Sequence, residues 1–231
     1  MPSAPLEALQ NIVWHSLTGA QSGLSVGTDR IRRFAPGYSQ LIGAIDRAAP
    51  CLDDLAAYCS ADEHFYVLGW SGRAPAGWQI DVDAEVDQLV WDQPAPAAMD
   101  TGDIVRLGAE HVARMIHLTS ITHPGPFAER TIEFGDYFGI LDDGHLLAMA
   151  GERMHAGMLR EISAVCTDPV AQGRGFARRL MNLLLRIQIA RGQMPFLHVM
   201  AENAHARGMY ERMGFRHVQR LACRVVSRIP D

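Results

Sequence analysis

Lysine is absent from this 231-residue chain, and all 21 of its basic residues are arginine. A GC-rich genome explains this most simply, although avoidance of lysine modification would have the same effect. The formal net charge of −5 argues against general binding to nucleic acid. Residues 1–100 hold 5 arginines and 13 acidic residues, whereas residues 101–231 hold 16 and 13. The C-terminal part is therefore better suited to an anionic ligand.

Cysteines and long apolar runs are also scarce. The four cysteines, at positions 51, 59, 166 and 223, form no C-x-x-C pair, so neither a zinc site nor a disulfide framework is indicated. No apolar run reaches the roughly 18 residues of a membrane helix, and the first ten residues lack the features of a signal peptide. We therefore expect a cytoplasmic protein with reduced thiols, no metal and no membrane contact.

The pattern of the chain predicts an α+β protein in two units. Residues 1–91 form an N-terminal α+β subdomain, residues 92–102 a linker rich in Pro, Ala and Asp, and residues 103–231 a second domain. In the first unit we predict helices near 6–17, 37–48 and 51–60, and strands at 64–70, 77–82 and 86–91. This unit contains no constellation of residues typical of a catalytic site.

The second unit has clearer local signals. Strands are predicted at 104–107, 159–167 and 195–200, helices at 109–121, 175–191 and 203–214, and a hairpin turns at Asp143-Gly144, followed by closing strands after Gly214. Strand 159–167, helix 175–191 and strand 195–200 form a crossover unit, which predicts that its two strands run parallel.

Gln172-Gly173-Arg174-Gly175 lies where the helix at 175–191 begins. The first turn of a helix has unpaired N–H groups and a partial positive charge, and glycine allows an anion to approach the backbone. Arg174, Arg178 and Arg179 add positive side chains. The pattern therefore predicts a phosphate site.

Three anion-binding turns are possible here. A Walker loop requires Gly-Lys-Ser/Thr, and the chain has no lysine. A dinucleotide fingerprint would need glycine where Arg178 stands. The pattern Gln172-x-x-Gly175-x-Ala177 instead fits the turn that holds the pyrophosphate of coenzyme A.

A second motif follows about 30 residues later. Asn203, Ala206, Tyr210, Glu211, Gly214 and Phe215 occur in the spacing N-x-x-A-x-x-x-Y-E-x-x-G-F. With both motifs present, residues 103–220 resemble the GNAT superfamily of acyl-CoA-dependent N-acyltransferases. The resemblance implies a central mixed, mostly antiparallel sheet flanked by helices, with acetyl-CoA as cofactor. The N-terminal part is similar to one carried by some relatives of glycine N-acyltransferase.

The resemblance also implies which residues contact the cofactor. Backbone groups of the strand end would pair with the pantetheine arm, and the glycine turn would hold the pyrophosphate. Asn203 would contact the cofactor, cap its helix, or do both. The implied cofactor-binding residues are Val165, Cys166, Thr167, Gln172, Gly173, Arg174, Gly175, Phe176, Ala177, Arg178, Asn203 and Ala206.

Two residues are candidates for catalysis. Glu161 matches the position of the base in ribosomal-protein-acetylating members, although it could simply pair with an arginine. Tyr210 matches the tyrosine that protonates the coenzyme A thiolate, although it could simply pack its helix on the sheet. Cys166 alternates away from the cleft, and His198 and His205 are more typical of structural histidines.

The loop 122–139 occupies the place of the acceptor-binding loops. Pro124, Pro126 and Phe127 would shape a wall there, and Arg130 or Glu133 could contact a substrate charge. Phe127, Arg130 and Glu133 are therefore the candidate substrate-binding residues, with loop packing as the alternative. The expected function is transfer of acetyl from acetyl-CoA to a small-molecule or peptide amine by direct attack in a ternary complex. A catalytically inactive coenzyme A-binding sensor or scaffold is the alternative. Either a monomer or a homodimer is compatible with the sequence, and the amine remains open.

Overall fold

The computed structural model describes residues 4–60 and 62–229. In the first half of the chain, two short helices precede five strands: α1 (Ala4–Leu9), α2 (Ile12–Thr18), β1 (Ser25–Gly27), β2 (Ile31–Phe34), β3 (Leu41–Ala44), β4 (His64–Leu68) and β5 (Trp78–Val90). Short 3-10 helices cover Ser22–Leu24 and Leu52–Tyr58.

The second half alternates strands with longer helices. Its elements are β6 (Ile104–Arg106), α3 (Val112–Thr122), β7 (Tyr137–Asp142), β8 (His145–Ala156), β9 (Leu159–Thr167), α4 (Phe176–Ala190), β10 (Met194–Met200), α5 (Ala204–Met213) and β11 (Arg216–Arg228). Three further 3-10 helices lie at Ala109–His111, Thr131–Phe134 and Pro169–Ala171.

Within the described residues, eleven strands form one sheet in the order β1-β2-β3-β4-β11-β5-β10-β9-β8-β7-β6. The pairs β3–β4 and β9–β10 are parallel and the other neighbours are antiparallel. Helices α4 and α5 pack on one face of the C-terminal strands, and α3 packs on the other. The predicted α+β class, the mixed and mostly antiparallel sheet and the parallel crossover are confirmed.

Strand β5 lies between β10 and β11, although it precedes both by about a hundred residues. It pairs with β11 along almost its whole length and with β10 over Val86–Val90. The segment that follows it runs over α4, where Arg179 binds Asp103 and Asn182 donates to the Ala97 carbonyl. The division into units 1–91 and 103–231 remains a prediction about folding units, and residues 1–3, 61, 230 and 231 lie outside the described part.

The helix predicted near 37–48 is wrong, because its centre is strand β3. Leu41 packs against the cluster beneath α2, whereas Ile42 packs on the opposite side with Leu52 and Leu55. A strand buried on both faces is apolar throughout, so its sequence cannot be distinguished from a buried helix by periodicity. Gly43 allows the close approach of α2, because a Cβ there would lie 2.6 Å from the Trp14 backbone nitrogen.

Two other boundaries differ from the prediction. The strands predicted at 77–82 and 86–91 are one strand, β5, since Asp83, Ala84 and Glu85 continue the ladder with β11. The segment predicted as a helix near 51–60 is a 3-10 helix, Leu52–Tyr58.

Candidate active site

Strands β9 and β10 form a cleft because they separate after a short parallel contact. They pair only from Leu159 to Glu161 on β9, opposite Met194 to Phe196 on β10. Beyond that contact lies a cavity of about 340 Å³. Residues 162–165 of β9 line one side, and His198 to Met200 of β10 line another. A volume of this order is typical of a small-ligand site.

A β-bulge shapes the β9 side of the cavity. Gly151 pairs with Ser163 and Met149 pairs with Cys166, so Ala164 and Val165 together oppose the single residue Ala150. Ala164 has φ of 52°, an uncommon value for a residue other than glycine. The bulge interrupts the alternation of the strand, so that Ser163, Ala164 and Val165 all line the cavity.

The turn before α4 leaves a row of backbone amides unpaired. Gly173 and Gly175 have φ of 78° and 77°, which explains why glycine occupies both positions. The first helical hydrogen bond of α4 runs from Arg179 N–H to Gly175 C=O. Within the described chain, no backbone hydrogen bond is donated by residues 173–178. These exposed amides and the dipole of a 15-residue helix form a setting suited to an anion.

The arginines of this turn have different surroundings. The Arg174 guanidinium stacks over the Phe176 ring at 4.5 Å, and Phe176 itself is buried in the core. Arg178 is exposed. Arg179, in contrast, is held by Asp103 and the Asp100 carbonyl. Arg174 and Arg178 are therefore the side chains of this turn that could meet an anion.

Helix α5 forms the wall facing β9. Asn203 caps the helix, because its Oδ1 accepts a hydrogen bond of 3.0 Å from the Ala206 backbone N–H. Asn203, Ala206 and Tyr210 all line the cavity. Burial, followed by the charge of Cys166, raises the pKa of Tyr210, so its phenol is protonated at neutral pH.

Glu161 lies just behind the cavity and not on its surface. Its Oε2 accepts a hydrogen bond of 2.8 Å from Arg153 Nε, and its Oε1 accepts one of 2.7 Å from Arg153 Nη2. His198 Nδ1 lies 2.8 Å from Oε1, and His198 Nε2 lies 3.1 Å from Gln88 Nε2. Burial alone would raise the pKa of Glu161, but the charge and hydrogen bonds of Arg153 lower it to about 2. Arg153 and His198, which flank this carboxylate, line the cavity.

A family described as FR47-like protein matches residues 137–225. A solved structure of a GNAT-family protein from Novosphingobium aromaticivorans is 36% identical, with a TM-score of 0.87 over 96% of this chain and 99% of that one. The chain belongs to the GNAT family. Its assignment to a family of acyltransferases, made from two motifs, is confirmed.

Shorter matches to two curated acetyltransferases concern only part of each protein. The mycothiol acetyltransferase of Beutenbergia cavernae is 42% identical over 74 residues, which are 32% of this chain and 25% of that protein. The N-alpha-acetyltransferase RimI of Mycobacterium tuberculosis is 40% identical over 58 residues, which are 25% of this chain and 35% of that protein. The chain thus spans about a quarter to a third of the length of these curated relatives.

None of the helices in residues 4–60 and 62–229 has the length and apolar character to cross a membrane.

The other predicted cofactor-binding positions lie at the end of β9 and around the glycine turn. Thr167 ends β9, and Gln172 and Ala177 flank the glycine turn. The Cys166 side chain points to the opposite face, into the cluster that contains Met115 and Leu118, and burial raises its pKa to about 12. Only its backbone can therefore face a ligand in the cleft.

The structure does not bring the predicted substrate-binding residues to the cavity. Arg130 and Glu133 bond to each other and to Tyr38, and the Arg130 guanidinium also stacks over the Tyr38 ring at 4.2 Å. Phe127 packs edge-on against Tyr137 with ring centroids 6.0 Å apart. These contacts favour the packing alternative, and a substrate role for the three residues remains a prediction. From the same loop, His123 to Pro126 do line the cavity.

Sequence reasoning missed Arg153 and passed over His198. Counting along the hairpin from its turn would have placed Met154 opposite Glu161, and the register shift between Glu152 and His155 instead brings Arg153 to that carboxylate. No local signal could have placed His198 beside them, because that contact depends on how β10 meets β9.

Proposed function

We propose that the chain is an N-acyltransferase that transfers acetyl from acetyl-CoA to a primary amine by direct attack in a ternary complex. One observation carries this proposal: the strand that leads to the unpaired amides of residues 173–178 and the helix that presents Asn203 and Tyr210 form two walls of one cavity. The names of the two partial relatives, a mycothiol acetyltransferase and an N-alpha-acetyltransferase, support acetyl transfer to a small-molecule or peptide amine.

The donors at this cleft fit acetyl-CoA. The amides of Gly173, Gly175, Phe176 and Ala177, with the side chains of Gln172, Arg174 and Arg178, would hold its diphosphate. Backbone groups of Val165, Cys166 and Thr167 would pair with its pantetheine arm, beside Asn203 and Ala206. When bound, acetyl-CoA supplies an acetyl group activated as a thioester.

Two groups on the protein suit the charges of acetyl transfer. Tyr210 holds a proton in the cavity, because burial keeps its pKa above the ordinary value for a phenol. It is therefore the proposed acid for the departing thiolate. The backbone N–H of Val165, at the bulge, is the proposed donor to the carbonyl oxygen as it becomes negative.

The surroundings of Glu161 support its predicted base role less well than those of Tyr210 support the acid role. A carboxylate with a pKa of about 2, bonded to Arg153 and absent from the cavity lining, is a weak proton acceptor for an amine. Because a carboxylate only accepts hydrogen bonds, Nδ1 of His198 carries the proton toward Glu161, and Nε2 accepts from Gln88. We assign Glu161 a positioning role toward Arg153 and His198, and we propose that the amine binds as its free base.

Calorimetry with acetyl-CoA, followed by mass spectrometry of products from a broad amine panel, tests this proposal. We expect binding of acetyl-CoA and formation of acetylated amine together with free coenzyme A. Binding with no acetylated product from any amine would favour the alternative, a coenzyme A-binding module without catalysis. Absence of binding would contradict both.

A further inference from the structure

The wall of the cavity opposite α5 is built by the N-terminal strands and β11, and it is apolar. Four strands contribute side chains to this wall, which we call the acceptor wall. Its members are Leu41 of β3, Tyr66 and Leu68 of β4, Val82, Ala84 and Val86 of β5, and Cys223 and Val225 of β11.

Because side chains alternate along β5 and β11, the charged side chains of these strands lie on the face of the sheet away from the acceptor wall. Asp83 pairs there with Arg224, with Asp83 Oδ2 2.9 Å from Arg224 Nη2. Asp87 accepts a hydrogen bond of 2.8 Å from Arg220. Strands this rich in charged residues therefore present only uncharged side chains to the cavity.

The cavity lining holds one charged side chain other than histidine, Arg153, and no Asp or Glu among the described residues. The Arg153 guanidinium donates two of its five N–H groups to Glu161, and that carboxylate already balances its charge, so a substrate carboxylate would meet no unbalanced positive charge there.

This near absence of charge in the cavity lining favours some amines over others. An ammonium group moved from water to the acceptor wall would lose hydration and find no unpaired carboxylate in return. A second ammonium or a carboxylate on the acceptor would likewise lose hydration without gaining an unbalanced charge of opposite sign from the cavity lining. An amine without further charge gains instead from contact between its apolar body and the wall.

We propose that the acceptor is a small primary monoamine with an uncharged aliphatic or aromatic body, which lies along the acceptor wall and enters as the free base. This inference rests on the proposed acetyl transfer. In the reaction the amine nitrogen forms a bond to the acetyl carbon as the carbon–sulfur bond breaks. The nitrogen loses one proton, and the sulfur gains one, so the products are an N-substituted acetamide and free coenzyme A.

Three amines of equal length test the proposal: hexylamine, 1,6-diaminohexane and 6-aminohexanoate, which differ only at the far end. With the full-length protein and saturating acetyl-CoA, we expect kcat/KM for hexylamine to exceed that of each of the others at least tenfold. Equal values, or a preference for either charged amine, would overturn the proposal.

A substitution on the wall provides a second, independent measurement. Val82 is 48% exposed at the cavity, so Val82→Asp should fold. Its carboxylate should lower the preference for hexylamine over 1,6-diaminohexane by about tenfold. Val105→Asp is the matched control, because Val105 is a strand valine of similar exposure, 40%, outside the cavity. An unchanged preference in Val82→Asp, or the same change in both variants, would count against the wall.

Acetyl-CoA binding separates failure of this inference from failure of the proposed function. If acetyl-CoA binds but none of the three amines is acetylated, the acceptor class is wrong while coenzyme A binding stands. If hexanoyl-CoA is used at least tenfold better than acetyl-CoA and hexylamine is not preferred, the wall holds an acyl chain, and the inference fails. If acetyl-CoA does not bind, the proposed function itself fails.

Discussion

Glu161 and Arg153 form a buried ion pair in which each carboxylate oxygen accepts a hydrogen bond from the same guanidinium, at distances of 2.8 and 2.7 Å. The Glu161 side chain is fully buried and that of Arg153 is 10% exposed. The pair closes the cleft at the point where β9 and β10 begin to separate, so it affects both the stability of the sheet and the charge of the cavity.

Removing one partner of this pair should be costly. Arg153→Met leaves a buried carboxylate without its cation, and we expect the free energy of unfolding in urea to fall by about 3–5 kcal/mol. The double variant Arg153→Met/Glu161→Leu should recover part of that loss. The exposed pair of Arg216 and Asp92 is the control, and Arg216→Met should cost less than about 1 kcal/mol. Equal losses at the two sites would show that burial is not decisive.

Acid should weaken the same pair. Burial raises the pKa of Glu161, but Arg153 more than offsets it, so the folded value of about 2 lies below the ordinary 4.5. A carboxyl group whose pKa is lower in the folded state stabilises the fold at pH values above its unfolded pKa. This contribution is lost as the pH falls from about 4.5 to about 2. The difference in unfolding free energy between wild type and Glu161→Gln should therefore be smaller at pH 3 than at pH 7. A difference that grows in acid would contradict the assignment.

The glycine turn offers a test of coenzyme A binding. Gly175→Asp places a negative side chain among the amides of residues 173–178, and we expect acetyl-CoA affinity, measured by calorimetry, to fall at least tenfold. Gly192→Asp is the matched control, because Gly192 lies just beyond the other end of α4, with a similar φ of 71° and open space around it. Both variants incur strain at a positive φ. Only the first should lose affinity, and a loss in both would point to damage of the helix.

Tyr210→Phe removes the proposed acid and keeps the packing of the ring. We expect kcat to fall about 100-fold, a typical effect of losing an acid, while acetyl-CoA affinity changes little. Tyr58→Phe, at a tyrosine that is 40% exposed and outside the cavity, should behave like wild type. A normal kcat in Tyr210→Phe would show that Tyr210 only packs its helix against the sheet.

The pH dependence of kcat/KM can show what removes the proton from the amine. If the amine binds as its free base, the rate should rise with pH through the pKa of each amine, so that hexylamine and the less basic benzylamine give displaced profiles. A base on the protein, whether Glu161 or His198, would give one common midpoint for both amines. Coincident profiles would thus restore the base role.

Local signals predicted most of the C-terminal half. Asp143-Gly144 is the turn expected between β7 and β8, with φ of 44° and 78°, and Gly214 ends α5 at φ of 114°. The sheet around β5 could not be predicted in the same way. Its neighbours are set by pairing over more than a hundred residues, and the apolar run at Leu41 is compatible with either a helix or a strand.

The candidate site likewise contains some residues that local sequence signals predict and others that they do not. Asn203 and Tyr210 belong to a motif with fixed spacing along one helix, so their common presence in the cavity follows from the sequence. Arg153 and His198 meet at Glu161 only because three strands converge there. The acceptor wall needs four strands from both halves of the chain, which no local pattern contains.

The position of β5 between β10 and β11 has a consequence for biosynthesis. This strand leaves the ribosome with both of its edges open, because β10 and β11, the partners for those edges, are made more than a hundred residues later. Pairing over such sequence distances is slow and exposes unpaired strand edges to neighbouring chains in the meantime. We therefore expect nascent chains stalled before residue 194 to bind chaperones, and to be released once β11 has been translated.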